Sequence, residues 1–176
     1  MTGLNVNWTA DSKSVLYVHL EQGGQRRVYR ESIDGTDRKP ITPGGESFAP
    51  ARGAVSPDGK FLIARRLSDH AAVLIALDGS GAIQVVPGID ATEVARHWSS
   101  DGKSIYIQSR GTLQTGSQII KFDLATGKRE TIKTILPADL AGYAGNDGQL
   151  VSSDGSTIVF SYTRILSTLY TLEQPK

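Results

Sequence analysis

Three histidines, His19, His70 and His97, are the side chains of this sequence best suited to acid–base or metal chemistry. They stand far apart, and a metal or catalytic role needs ligands that converge, so each reads as a structural histidine. Ser100-Asp101-Gly102-Lys103 fits the Ser-x-x-Lys pattern of acyl-transfer enzymes. That pattern needs a first helical turn to carry the lysine onto the serine, whereas here it straddles a repeated β-turn. Asn7-Trp8-Thr9 matches the glycosylation sequon, but the position is expected in a buried strand. Asp34, Asp58, Asp78, Asp101 and Asp154 would hold calcium only if several converged, and they fall in separate turns. With no cysteine, disulfides, thiolate nucleophiles and Cys-based zinc sites are excluded. No catalytic, metal-binding or cofactor-binding residue is expected, and no cofactor.

The elements that carry these residues are set by a repeat. Trp8-Thr9-Ala10-Asp11-Ser12-Lys13, Val55-Ser56-Pro57-Asp58-Gly59-Lys60, Trp98-Ser99-Ser100-Asp101-Gly102-Lys103 and Val151-Ser152-Ser153-Asp154-Gly155-Ser156 are four versions of one phrase. Their aspartates recur at intervals of 47, 43 and 53 residues. A period in the forties is that of a β-propeller built from four-stranded blades. Within the phrase, Pro57 presets one turn corner, Gly59 takes the positive-φ corner, and Asp58 accepts backbone N–H bonds as Asx turns do. The preceding Trp8, Val55, Trp98 or Val151 is expected to point into the core between adjacent blades.

Strand signals follow each phrase. Residues 14–19 and 27–33 alternate around the Gln22-Gly23-Gly24-Gln25 hairpin, and 38–42 makes a short edge strand at Pro40. Strands are predicted over 61–66, 73–77 and 83–86, then 105–108, 118–124 and 130–132, and finally 157–162 and 168–172. Residues 137–142 form a loop, since Gly142 and Gly145 interrupt any helical pattern. The fold is all-β: antiparallel four-stranded blades at about 4–43, 50–88, 92–136 and 148–173, in one propeller domain over 1–176. Propellers of this type usually close with more than four blades, so the domain is expected to be part of a larger ring, the alternative being an unusual self-closing ring of four. An open blade face would then present an apolar patch that favours self-association.

Bulk composition narrows the partners. Nineteen basic residues against eighteen acidic ones leave a net charge of +1, which gives no footprint for nucleic acid. The longest apolar run, residues 71–77, is too short to cross a bilayer, so no membrane insertion by this segment is expected. Residues 1–5 carry neither a charged nor an apolar leader pattern.

The phrase resembles the repeats of TolB-type, WD-repeat-like bacterial propellers, whose signature is Trp-Ser-Pro-Asp-Gly-Lys before an apolar strand. Residues 55–60 and 98–103 match closely; 8–13 and 151–156 are degenerate but in register. The tail, with Arg164-Ile165-Leu166-Ser167-Thr168-Leu169-Tyr170, looks like the last blade of propellers at the C-terminus of multidomain bacterial proteins. The resemblance implies a sensor, kinase-linked or regulatory protein and favours a periplasmic or extracytoplasmic setting. It is also compatible with a TolB-like periplasmic translocation protein or the propeller of a prolyl oligopeptidase-type hydrolase. The Gly-x-Ser-x-Gly elbow of such a hydrolase is absent from these residues. A channel-centred propeller enzyme would need acidic or histidine residues from several inner strands, and only Glu93, Arg96 and His97 approach this, all from one blade.

A non-enzymatic protein-interaction or ligand-sensing module, which binds a protein, a peptide or a cell-envelope ligand through its rim, is therefore expected. Loops at blade ends make an adaptable rim. Phe48, Arg52, Arg96 and Tyr143 are its candidate partner contacts, the two aromatics as apolar anchors. Arg65-Arg66 and Arg26-Arg27 read first as solvated strand ends.

Overall fold

The computed structural model describes residues 6–112 and 114–168. They form β-strands joined by turns, and none of them is helical. Blade one comprises β1 (Asn7–Trp8), β2 (Ser14–Leu20), β3 (Arg26–Ser32) and β4 (Lys39–Pro40). Blade two comprises β5 (Phe48–Val55), β6 (Phe61–Arg66), β7 (Ala72–Ala76) and β8 (Ile83–Val85). Blade three comprises β9 (Val94–Trp98), β10 (Ser104–Ser109), β11 (Ser117–Asp123) and β12 (Arg129–Ile135). Blade four contributes β13 (Tyr143–Val151) and β14 (Ile158–Arg164). Each sheet is an antiparallel meander in chain order, and the first strands β1, β5, β9 and β13 touch one another in sequence. That is the arrangement of a propeller. Most of the strand predicted over 168–172 lies outside the described residues.

The repeated phrase builds the same hydrogen-bonded turn four times. Thr9, Ser56, Ser99 and Ser152 each donate their hydroxyl to the aspartate two residues on, at 2.6, 2.6, 2.6 and 2.5 Å. Asp11, Asp58, Asp101 and Asp154 each accept a second bond from the backbone N–H two residues further. The N–H of the residue that opens or leads into the next strand closes the loop by donating to the same hydroxyl, at 3.0, 3.0, 2.9 and 3.0 Å. These bonds to the ionised carboxylate hold all four aspartates below their ordinary pKa, the hydroxyl bond being the largest cause.

Burial follows position in the array. Blade three stands between blades two and four, and β10 is buried at five successive positions from Ser104 to Gln108. A strand covered on both faces loses its polar alternation. In blade one, β2 alternates, with Leu16 and Val18 buried and Tyr17 half-buried, because one neighbouring blade covers one face. One core joins blades one to three around Leu16, Leu62, Ile63, Ile75, Ile105 and Phe122; a smaller one joins Tyr106, Ile119 and Ile135 to Val151.

Adjacent blades are also locked by specific bonds. Trp98 Nε1 donates to the Ala54 carbonyl at 2.8 Å. Asn7, 4 % exposed, donates to the Ala51 carbonyl at 3.1 Å and accepts from the Ala54 N–H at 2.9 Å. Both halves of its amide are used within the fold. The Ser100 N–H donates to the Ser153 carbonyl at 2.7 Å, tying blade three to blade four. The turn glycine nests on the blade before it: a Cβ added at Gly155 would lie 2.6 Å from the Tyr106 hydroxyl.

Trp8 departs from expectation. Trp98 and Val151 are buried between blades and Val55 partly so, but Trp8 is 58 % exposed. It occupies the same repeat position on the face of blade one that no described blade covers. Val6, Leu20 and Ile33 are exposed with it, and Leu150, Val159, Phe160, Ile165 and Leu166 are exposed on or beside blade four. Two strands also replace expected loops: Phe48 opens β5 and Tyr143 opens β13.

Candidate binding site

Two inner strands and the strand beside one of them bring three arginines to one cavity. Arg52 on β5, Arg65 on β6 and Arg96 on β9 line a space of about 540 Å³ between blades two, three and four. This falls within the usual range of small-ligand sites. Leu150 on β13 and Val159 and Phe160 on β14 give the lining an apolar part from blade four, and His70, Glu93 and Gln149 add to its polar part.

Arg96 is held from behind. Its Nε donates to Gln108 Oε1 at 2.7 Å and its Nη2 donates to the same oxygen. Gln108 Nε2 donates to Ser117 Oγ at 3.3 Å, and Gln149 Nε2 donates to that hydroxyl at 3.0 Å. Ser117 in turn donates to the Ser109 carbonyl at 2.7 Å. A buried polar chain thus runs from Arg96 through β10 and β11 to β13. Such networks fix side-chain orientation when their members are satisfied.

Positive charge dominates the lining. Burial disfavours the charged form of Arg96, and the charges of Arg110 and Arg52 push in the same direction. Glu93 is 8 % exposed and already engaged: Arg129 Nη2 donates to its Oε1, and the Asp90 N–H donates to its Oε2 at 2.9 Å. Among the described residues, neither Arg65 nor Arg96 has a carboxylate partner. Arg65 Nη2 donates to the Ala91 carbonyl at 2.8 Å, while its buried Nε–H has no partner. The buried Oε1 of Gln149 has none either.

Of the four expected contact residues, Arg52 and Arg96 meet at this cavity. Phe48 does not: it is 0 % exposed and belongs to the main core, where it packs rather than presents. Tyr143 is half-buried away from the cavity, its ring 6.1 Å from that of Tyr162. The histidines are dispersed. His19 stands edge-on to Tyr29 at 5.4 Å, and His70, at φ 63°, lines the cavity. His97 Nδ1 lies 2.7 Å from the Trp98 carbonyl, with its imidazole packed where a side chain at Gly53 would stand. Among the described residues no three His, Asp or Glu side chains are placed to hold a metal ion. No described helix is long and apolar enough to cross a membrane.

Sequence reading overlooks Gln108, Ser117 and Gln149, and it takes Arg65 first as a solvated strand end. The one usable signal was at Arg65: Leu62, Ile63 and Ala64 before it are all buried, so a charge ending that strand lies at an interior boundary.

No protein-family profile matches the chain, and no curated protein does. Solved structures do. TolB from Acinetobacter baumannii is 25 % identical with a TM-score of 0.61, the match covering 89 % of this chain and 36 % of that one. A chain of the nidogen/laminin complex is 12 % identical with a TM-score of 0.62, covering 90 % and 56 %. Prolyl oligopeptidase B from Galerina marginata, in its apo form, is 18 % identical with a TM-score of 0.58, covering 90 % and 24 %. The chain therefore spans little more than a third of the length of the TolB structure it matches. Its structural neighbours include TolB-type β-propeller proteins, and it shares their all-β bladed architecture.

Proposed function

We propose that this chain is a non-enzymatic binding module, a run of blades from a larger propeller, that recognises a protein or peptide. The host is a bacterial multidomain protein, such as a receptor-like Ser/Thr kinase or regulator, in which the 1–176 segment forms part of the ring. The observation that carries this reading is the cationic cavity where three blades meet, walled by apolar β14 and backed by a fixed polar chain. Rigid cavities with a few oriented polar groups recognise ligands. The coverage of the TolB structure supports a partial ring, as does the apolar exposure at both ends of the array. On those exposed faces the isolated chain pairs with a second copy.

The test is selection from a random peptide library on the immobilised 176-residue chain, followed by calorimetry with the selected peptides. Saturable micromolar binding that Arg96→Gln weakens is expected. Absence of any selected peptide, or cleavage of the peptides by the pure protein, overturns the reading.

A further inference from the structure

We infer that the arginine-lined cavity binds a carboxylate flanked by an N–H donor and an apolar side chain, the chemistry of a peptide's C-terminal residue. This rests on the binding-module reading above and specifies what the module recognises.

Three features of the cavity select that chemistry. The first is charge. Arg52, Arg65 and Arg96 converge there, and Glu93, the carboxylate of the lining, is committed to Arg129 and the Asp90 amide. Arg65 and Arg96 are partly buried and, among the described residues, have no carboxylate partner; that is costly, and an entering anion offsets the cost with charge-assisted bonds. Arginine in particular fits planar carboxylates in a forked geometry.

The second is a pair of unpartnered groups on residues that line the cavity. Arg65 Nε–H is a donor without an acceptor, and Gln149 Oε1 is an acceptor without a donor, on a residue only 2 % exposed. Buried polar groups are nearly always satisfied, so each such exception calls for an explanation. A ligand that brings both an acceptor and a donor offers each of the two a partner once side-chain rotation opens these atoms to the cavity. A C-terminal residue has this pairing, with its carboxylate and backbone N–H one carbon apart. A bare inorganic anion brings no such paired N–H.

The third is the apolar part of the lining. Leu150, Val159 and Phe160 are 50 %, 60 % and 43 % exposed beside the guanidinium groups. They accept an aliphatic or aromatic side chain whose polar end faces the arginines. Ser117, which joins Gln108 to Gln149, links the two sides of the site.

The experiment titrates the 176-residue chain with Ac-Ala-Ala-Phe as the free acid, the same peptide as its C-terminal amide, Ac-Phe as the free acid, and inorganic phosphate, by amide chemical-shift mapping and calorimetry. The acid is expected to bind about tenfold or more tighter than the amide, with shifts centred on β6, β9 and β13. Arg65→Gln and Arg96→Gln are expected to remove that preference, and Arg164→Gln, whose ion pair with Asp139 lies elsewhere, to keep it. If Ac-Phe binds as tightly as the tripeptide, the source is a free N-acyl amino acid and the carboxylate site stands. If acid and amide bind equally, or phosphate binds as tightly as the acid, the inference falls while the module reading survives. The acid–amide comparison needs only the unmodified protein, so a variant that fails to fold leaves the test intact.

Discussion

Trp98 Nε1 donates to the carbonyl of Ala54 at 2.8 Å, a bond between the inner strands of blades three and two. Trp8 holds the same repeat position and is 58 % exposed. Trp98→Phe leaves a buried carbonyl without its donor and is expected to cost about 1–3 kcal/mol. Trp8→Phe is expected to stay within about 0.5 kcal/mol. Urea denaturation followed by circular dichroism compares them; equal losses would refute the assignment of Trp8 to an uncovered face.

Gly155 and Gly127 share nearly the same backbone, at φ 75° and 70°, but only Gly155 lies against another blade. Alanine at either position carries the left-handed penalty of about 1–2 kcal/mol. Gly155→Ala also drives a Cβ toward the Tyr106 hydroxyl and is expected to lose about 1–3 kcal/mol more than Gly127→Ala. Thermal melts of the pair measure the difference.

The turn aspartates make stability depend on acid. Their folded pKa values are depressed, that of Asp154 to about 2, chiefly by the Ser152 hydroxyl. The associated stability is fully present above the unfolded value of about 4. It is lost as pH falls from there through the folded value. Urea midpoints measured between pH 5 and 2 are expected to drop, and Asp154→Ala to lower the midpoint at pH 5 while flattening the slope below it. A steeper acid slope in the variant would contradict the linkage.

Ser117 Oγ accepts bonds from both Gln108 and Gln149. Ser117→Ala leaves two buried amide donors unpaired, at about 1–3 kcal/mol for each. Hydrogen exchange is expected to quicken in β13, at the far end of the polar chain, as well as in β10. Acceleration confined to β11 would mean that the chain does not couple blades three and four.

Light scattering tests self-association. Ile165 and Leu166 are 65 % and 81 % exposed beside blade four. The isolated chain is expected to grow in apparent mass with concentration, and Ile165→Lys with Leu166→Lys to suppress the growth. A chain that stays monomeric at millimolar concentration rules the second copy out.

The Asp-Gly phrases and the strands after them were legible in the sequence because turn chemistry is local. Asp58, Gly59 and Ser56 lie within four residues and need no distant partner. The strands β5 and β13 were not legible. Pro50 and Gly53 in one, and Gly145 and Gly148 in the other, read as loop. Shifts in pairing register between Pro50 and Val55, and at Tyr143–Gly145 and Asn146–Gly148, let these strands accommodate them. That is also why Phe48 looked like a rim anchor and proved to be core. The cavity was beyond sequence reach for another reason: Arg65, Arg96 and Gln149 come from three blades, and only tertiary contact unites them.

The nesting of each turn on the blade before it has an arithmetic consequence. Among the described residues the four blades share three seams, between β1 and β5, β5 and β9, and β9 and β13. A closed ring has as many seams as blades, so closure adds a seam without ordering any further chain. The last blade to join therefore contributes two buried faces for the conformational entropy of one, and completing the circle is the most favourable step in building it. The half-seam at Trp8 marks where one such gain is stored.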